Sequence, residues 1–503
     1  MKDVAQMDDF KHTHQMLDRQ AEQRPDAVAV IDGDGRAVTW AQYAALSRSK
    51  ANQLAVAGIA AGDRVMIVAE NCLEVAVVLM ACSRIGAIAV PVNARMSAAE
   101  LARIQAHADP KLVLYTIGAS KEAAAHADAA GARPEPCGCG ALYGQSFAAG
   151  AAEPLAGTAV LLYTTGTTGD PKGVMLSHGN LIFAARASAT LRDLTPADRV
   201  YGALPLTHVF GLASMLMASA FAGATVQLAA RFSAEALYEA LRAGATVVPA
   251  VPQMHALLMA YAAEHGHRTL GSDRLRYVSS GAAPLDPAWK RKAEAFYGIP
   301  LQNGYGMTES TAGVSGTRNA IGDPDTSVGP PLPGVEVRLD TSVGNAEGVG
   351  EVQTRGPHVM QGYFRNPSAT ADAMTGDGFL RTGDLGRIDD AGRLHIVGRA
   401  KELIIRGGFN VYPPEVEAAL NDHPAVVQCA VIGRARDGNE EVLAFVQCRG
   451  SVTPDELRDF AARTLSAYKR PSRIYIVDVL PAAATGKILK HKLLSHFAGL
   501  LSD

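Results

Sequence analysis

A chain of 503 residues is about three times the length of an ordinary domain, so two or three hydrophobic cores are expected. With 48% hydrophobic and 19% charged residues it reads as a folded protein, which excludes a disordered tail and a coiled coil. The 47 Lys and Arg against 50 Asp and Glu leave a net charge of −3, which supplies no long-range field for nucleic acid or an anionic membrane but permits a local basic pocket.

In chain order, residues 1–9 lack the basic stretch and apolar core of a signal peptide, and a cytoplasmic protein is expected. Short apolar runs then alternate with helical patterns: strand 64–68 before helix 71–84, 87–92 before 98–108, 246–248 before 253–263, and 276–279 before 286–297. Such alternation predicts α/β layers with largely parallel sheets. The six Cys are too few and too scattered for a disulfide framework, and Cys137 with Cys139 lacks a second Cys or His pair for zinc. The Ala- and Gly-rich stretch 119–157 reads as a surface excursion without chemistry. Span 211–230 has roughly the length of a membrane helix, but Gly223 breaks it and Gln227 sits inside it, so a buried helix followed by a buried strand is expected. Prolines 330, 331 and 333 open a small β-rich unit at about 329–398, with strands 335–339 and 350–354. From 401 to 503 a compact, mobile α+β domain is expected: helix 413–420 opened by Pro413-Pro414, strands 426–432, 442–447 and 473–479, helix 454–465, and a last helix 488–497.

The densest chemistry lies in Tyr163-Thr164-Thr165-Gly166-Thr167-Thr168-Gly169-Asp170-Pro171-Lys172-Gly173, directly after an apolar strand. Glycines allow close backbone approach, threonine hydroxyls donate, and Lys172 supplies charge, which together suit a polyphosphate. It is not a Walker A loop, because Lys172 is preceded by Pro and followed by Gly instead of Ser or Thr. Tyr305-Gly306-Met307-Thr308-Glu309 groups an aromatic face, a hydroxyl and a carboxylate, the kinds of group a magnesium nucleotide needs.

The phosphate loop resembles the signature of the adenylate-forming superfamily: acyl-CoA synthetases, carrier-protein adenylation domains and firefly-type luciferases. Further family motifs follow in order over most of the chain. The resemblance implies an AMP-binding N-terminal domain at 1–400 and a mobile C-terminal domain at 401–503. It implies ATP at Thr164, Thr165, Gly166, Thr167, Thr168 and Lys172, with Tyr305 stacking on adenine, Thr308 on the α-phosphate and Glu309 holding Mg²⁺. Thr382-Gly383-Asp384 resembles the ribose motif, with Asp384 accepting from both hydroxyls. Gly398-Arg399-Ala400-Lys401-Glu402 resembles the junction between domains, where Arg399 reaches ribose or phosphate and Lys401 is the hinge. Thr485-Gly486-Lys487 matches the catalytic lysine motif, in which Lys487 neutralises charge developing at the carboxylate and α-phosphate. For coenzyme A, Gly407-Gly408 resembles the glycines that pass pantetheine, and Arg470 matches an Arg at its nucleotide end. His208 matches an aromatic position that gates the acyl pocket. The chain departs from the family pattern in its short segment 436–441, which puts the coenzyme's adenine contact in doubt, in Ala482-Ala483 before the lysine motif, and in Thr165 where Ser is usual.

The resemblance implies an ATP-dependent acid–CoA ligase, with acyl-AMP formed first and coenzyme A attacking it after the small domain rotates about Lys401. A stand-alone enzyme loading a separate carrier protein is the alternative, since the residues after Lys487 are too few for a fused carrier domain. A non-catalytic nucleotide-binding regulator fits poorly with retention of Lys172, Glu309, Asp384 and Lys487. The segments that line the family's acyl pocket, 207–215, 253–257, 279–283 and 303–307, contain no Arg or Lys. A second substrate carboxylate would be buried unpaired there, so an apolar or aromatic monocarboxylic acid is expected, with His255 as a polar group that could answer one. The partners expected beyond small molecules are a lysine acetyltransferase acting on Lys487 and a second copy of the chain as a homodimer; neither nucleic acid nor a membrane span is expected.

Overall fold

The computed structural model describes residues 10–148, 155, 157–165, 171–281, 285–343, 348–407, 409–436, 439–482 and 488–501. The chain forms two compact units: Met1–Pro249 with Gly306–Gly313 and Gly356–Asp372, and Ala250–Tyr305 with Val314–Arg355 and Ala373–Asp503.

In the first unit one sheet runs in the order Gly362–Tyr363, Pro171–Ser177, Thr158–Thr165, Ile88–Asn93, Arg64–Ala69, Leu112–Tyr115, Leu142–Ser146, Arg133–Glu135. Its middle four strands are parallel and its flanking pairs antiparallel. Arg64–Ala69 is buried at every position, as a parallel strand covered on both faces must be. Helix Ala98–Ala108 starts at a reciprocal cap between Ser97 and Glu100, and helix Leu73–Ile85 stops at Gly86, whose φ of 72° ends it in the left-handed region. A second set of strands, Val247–Ala250, Arg199–Gly202, Thr225–Leu228 and Val28–Ile31, is also parallel, with Ala37–Thr39 antiparallel at its edge.

Residues 119–148 hold more regular structure than expected. Strands Arg133–Glu135 and Leu142–Ser146 extend the first sheet, helix Lys121–Ala130 precedes them, and Cys137 and Cys139 are buried. Span 211–230 contains a π-helical stretch Leu212–Met217, helix Ala218–Ala222 and strand Thr225–Leu228, as a buried helix followed by a strand. Among the described residues no helix is long and apolar enough to cross a membrane.

In the second unit, parallel strands Tyr277–Ser280 and Leu301–Tyr305 are flanked by Ser315–Gly316. The β-rich stretch is a four-stranded antiparallel sheet of Glu336–Asp340, Gly350–Arg355, Leu380–Ile388 and Leu394–Arg399. The C-terminal residues have a core of their own, with Val416, Leu420, Val431, Val446, Leu457 and Ile474 between a three-stranded sheet and two helices. Two elements fall short of expectation. Helix Pro454–Ala461 ends early, and 488–497 holds only a short turn and helix Leu493–His496. The second shortening has a direct cause. Ile488 bridges to Ala482, and Leu489 has φ −88° and ψ 75°, so the backbone there is outside the helical region.

Candidate active site

Two strands bracket the phosphate-loop motif. Thr158–Thr165 and Pro171–Ser177 pair antiparallel, with Tyr163 opposite Gly173, Thr164 opposite Lys172 and Thr165 opposite Pro171. Gly166, Thr167 and Thr168 lie outside the described residues, as does the side chain of Thr165. Lys172 projects its ammonium over the Tyr363 ring, 5.0 Å from the centroid, inside the range of a cation–π contact.

Tyr363 belongs to the short strand Gly362–Tyr363, which pairs with Pro171–Ser177 with Tyr363 opposite Val174. Its hydroxyl donates to Glu309 Oε1 at 2.9 Å. Burial, then the Glu309 carboxylate, raises the Tyr363 phenol above its ordinary pKa, so it stays a donor. Thr308 and Glu309 are buried in the turn Thr308–Ser310. The Met360 N–H donates to the Glu309 carbonyl, and Thr311 Oγ1 donates to the His358 carbonyl. The chain leaves the turn through Thr311 and Ala312 at φ of 47° and 72°, a left-handed path that non-glycine residues rarely take. A Cβ on Gly306 would stand 2.2 Å from the Ala312 carbonyl oxygen, so only glycine fits beneath it. Among the described residues no three His, Cys, Asp or Glu stand together to hold a metal ion. One carboxylate is nevertheless what Mg²⁺ takes when substrate phosphates fill most of its shell, and Glu309 fits that role.

In the second unit Tyr305 ends strand Leu301–Tyr305, and its hydroxyl donates to Asp384 Oδ2 at 2.5 Å. Asp384 is paired in register with Arg399, whose Nε lies 3.0 Å from the other carboxylate oxygen. The turn before Asp384 is fixed by Thr382 Oγ1, which donates to the Val352 carbonyl and accepts from the Asp384 N–H. Gly383 at φ 71° makes that turn, and its N–H donates to Glu351. Burial, then Asp384, holds the Tyr305 phenol well above its ordinary pKa. Tyr305, Asp384 and Arg399 are thus brought together, although the sequence separates them by almost a hundred residues.

Lys401 is exposed in the turn Ala400–Glu402, between two half-buried residues. Gly407 has a φ of 58° and its N–H donates to Asn439 Oδ1, while Gly408 and Lys487 lie outside the described residues. Arg470 donates from Nε to the Leu465 carbonyl and from Nη2 to the Ala462 carbonyl. Arg406 donates to the Tyr468 and Arg470 carbonyls, and Phe409 stacks on Tyr468 at 4.8 Å, so Arg406 and Phe409 are both joined to 468–470. Lys490 pairs with Glu417 at 2.8 Å and with Glu402 at 3.3 Å, tying the stretch after Lys487 to the turn that holds Lys401. His208 is half-buried, and its Nδ1 accepts from the Phe210 N–H at 3.2 Å, capping the helix ahead of the π-helical stretch.

One sequence expectation changes. His255 is fully buried, its Nδ1 is 2.7 Å from the Tyr297 hydroxyl, and its Nε2 is 3.2 Å from the Ser279 carbonyl oxygen. The tautomer with Nε2 protonated satisfies both contacts, so the ring has no nitrogen left for a substrate group. Burial lowers its pKa to about 4, which keeps it neutral. Sequence reasoning missed Tyr363. Nothing local marks it, because its meeting with Glu309 depends on pairing between distant strands.

Residues 17–364 match the family model of AMP-binding enzymes, and residues 415–487 match that of the AMP-binding enzyme C-terminal domain. Sulfoacetate–CoA ligase of Cupriavidus necator is 34% identical over 95% of this chain and 96% of its own. Feruloyl-CoA synthase of an Amycolatopsis species is 34% identical over 95% of this chain and 98% of its own. Among solved structures, the O-succinylbenzoate coenzyme A synthetase of Bacillus subtilis in complex with ATP and magnesium superimposes with a TM-score of 0.80 at 31% identity, over 95% of this chain and 98% of that one. ATP-bound MatB of Rhodopseudomonas palustris gives 0.80 at 30% identity, over 97% and 99%.

Proposed function

The chain belongs to the AMP-binding enzymes and is an AMP-forming acid–thiol ligase, and on that premise we propose that it activates an apolar or aromatic monocarboxylic acid with MgATP and passes it to coenzyme A. The acid carboxylate attacks the α-phosphorus of ATP, the bond to the bridging oxygen breaks, and pyrophosphate leaves. The coenzyme A thiolate then attacks the acyl carbonyl and AMP departs. No covalent bond to the protein is required, so the chain acts by orientation and electrostatics.

Lys172 and the hydroxyls of Thr164, Thr165, Thr167 and Thr168 hold phosphate oxygens, with Gly166 allowing their approach, and Thr308 meets the α-phosphate. Glu309 holds Mg²⁺, which when bound offsets phosphate charge. Tyr305 lies against adenine, its ring plane set by the hydrogen bond to Asp384. Asp384 accepts the ribose hydroxyls beside Arg399, and Lys487 neutralises charge at the reacting carboxylate. His208 gates the acyl pocket. For the second step the domain at 401–503 pivots at Lys401 relative to 1–400, Gly407 and Gly408 pass pantetheine, and Arg470 meets the nucleotide end of coenzyme A.

One relative is named for sulfoacetate and another for feruloyl-CoA, so their names do not select a substrate. The acid is argued instead from this chain's residues, and His255 carries the argument. The segments assigned to the acyl pocket hold no Arg or Lys, and the histidine that could have answered a second carboxylate is neutral and engaged at both nitrogens. Burying an unpaired carboxylate there is prohibitive. A panel of aliphatic, aromatic and dicarboxylic acids, assayed for pyrophosphate release with and without coenzyme A, tests this. A dicarboxylate turned over best would overturn the acid assignment, and pyrophosphate release without acyl-CoA would point to a carrier protein as acceptor.

A further inference from the structure

Tyr363 touches two of the groups assigned above to MgATP, although no motif singled it out. Its hydroxyl donates to Glu309 Oε1 at 2.9 Å, and the Lys172 ammonium lies 5.0 Å from its ring centroid. The backbone around it is fixed independently of both contacts. The Phe364 N–H donates to the Gly173 carbonyl and the Gln361 N–H to the Met175 carbonyl, which seats the strand against the one carrying Lys172. The Tyr363 N–H donates to Thr370 Oγ1, and the Met360 N–H donates to the Glu309 carbonyl. Phe364 is buried in the core of the unit.

Resting on the assignment of Glu309 to Mg²⁺, we infer that Tyr363 is a positioning residue that orients the Glu309 carboxylate for the metal with its hydroxyl and steadies Lys172 for the phosphates with its ring. A hydrogen bond to one carboxylate oxygen restricts rotation of the group and leaves the other oxygen to face the ion. Partners of this kind commonly change metal affinity by about 10- to 100-fold when removed. The two contacts are chemically separable. Tyr363→Phe removes the hydroxyl and keeps the ring, whereas Tyr363→Leu removes both.

The test is calorimetric titration of Mn²⁺ into protein saturated with ATP, with manganese paramagnetic resonance as a second readout and ATP titrated alone in chelator. Tyr363→Phe is expected to weaken Mn²⁺ about 10- to 100-fold while metal-free ATP binding stays within about twofold. Tyr363→Leu is expected to weaken both. Glu309→Gln serves as the reference, and adding Tyr363→Phe to it should cost little more, because the hydroxyl acts through that carboxylate. If Glu309→Gln weakens Mn²⁺ and Tyr363→Phe does not, the proposal fails while the Glu309 assignment stands. If Glu309→Gln leaves Mn²⁺ binding unchanged, both fall. Tyr363→Phe weakening metal-free ATP as much as Mn²⁺ would also overturn the proposal, since a merely structural role would do that.

Discussion

Replacing Asp384 with Asn removes a charge while keeping shape, and the geometry sets how much should be lost. A carboxylate offers about four acceptor positions. Tyr305 occupies one on Oδ2 and Arg399 one on Oδ1, leaving about two, the number that the two ribose hydroxyls require. Asparagine keeps one acceptor oxygen and turns two donors toward groups that also donate. Hydrogen bonds to a charged group contribute about 1.5–3 kcal/mol and neutral ones about 0.5–1.5, so weakening both hydroxyl contacts should cost about 2–3 kcal/mol. The lost ion pair adds little, because the Arg399 side chain is 44% exposed and water replaces its partner. At about 1.4 kcal/mol per decade, KM for ATP should rise about 30- to 150-fold, with acid preference unchanged. The control is the nucleotide. With 2′-deoxy-ATP or 3′-deoxy-ATP one of the two hydroxyls is already gone, so Asp384→Asn should cost about half as much in free energy. A penalty of equal size with all three nucleotides would refute the ribose role, because the effect would then not pass through the hydroxyls.

Lys487→Ala should abolish pyrophosphate release yet leave thioester formation from preformed acyl-AMP far less affected; equal loss of both half-reactions would sink its assignment. Lys401→Pro fixes φ near −65° and should spare adenylation while lowering acyl-CoA formation by orders of magnitude, measured as two separate half-reactions. Two near-normal rates would place the pivot elsewhere. Acid should destabilise the fold between about pH 6.5 and 4. Burial holds His14, His178, His255 and His358 at about 4, so the unfolded chain takes up protons that the folded chain refuses, and stability present above 6.5 is lost as pH falls. Asp286, raised to about 6 by burial and then by Asp422, works in the opposite direction with a single proton. The free energy of urea unfolding should therefore fall from pH 7 to pH 5, by up to about 1.4 kcal/mol per pH unit for the fully buried His255 and by less for the more exposed His14, and a stability that rises would contradict the protonation states.

What the sequence disclosed was mostly local. The strand–helix alternation was legible because the apolar periodicity of 64–108 has one reading, and the observed strands and helices there begin or end within two residues of expectation. Asp286 and Thr453 announce their helices, and both accept from the N–H three residues on. What escaped depends on distant pairing. In the sequence the hairpin that presents Lys172 looks like a strand followed by a loop, because nothing in Pro171–Ser177 says that it folds back on Thr158–Thr165. His255 read as a free polar group because Tyr297 and the Ser279 carbonyl reach it only in the fold. The last helix is shorter than the pattern suggests because the bridge between Ala482 and Ile488 holds the backbone there away from helical geometry. The motif residues Tyr305, Asp384 and Arg399 were visible one at a time, and their hydrogen-bonded grouping was not.

The register of the phosphate-loop hairpin also bears on which insertions and deletions the lineage could accept. Thr165 and Pro171 are partners in the ladder, so a change in the number of residues between them leaves every pair below intact. The strand itself has no such latitude. Lys172 shares its face with Val174 and Leu176, both fully buried, and side chains alternate strictly along a strand. Deleting Gly173 would turn either the lysine or the apolar pair to the opposite face, and deleting Met175 would part Leu176 from Val174. Changes in the loop therefore meet selection through nucleotide binding, whereas changes in the parity of the strand meet it through folding, before any question of activity arises.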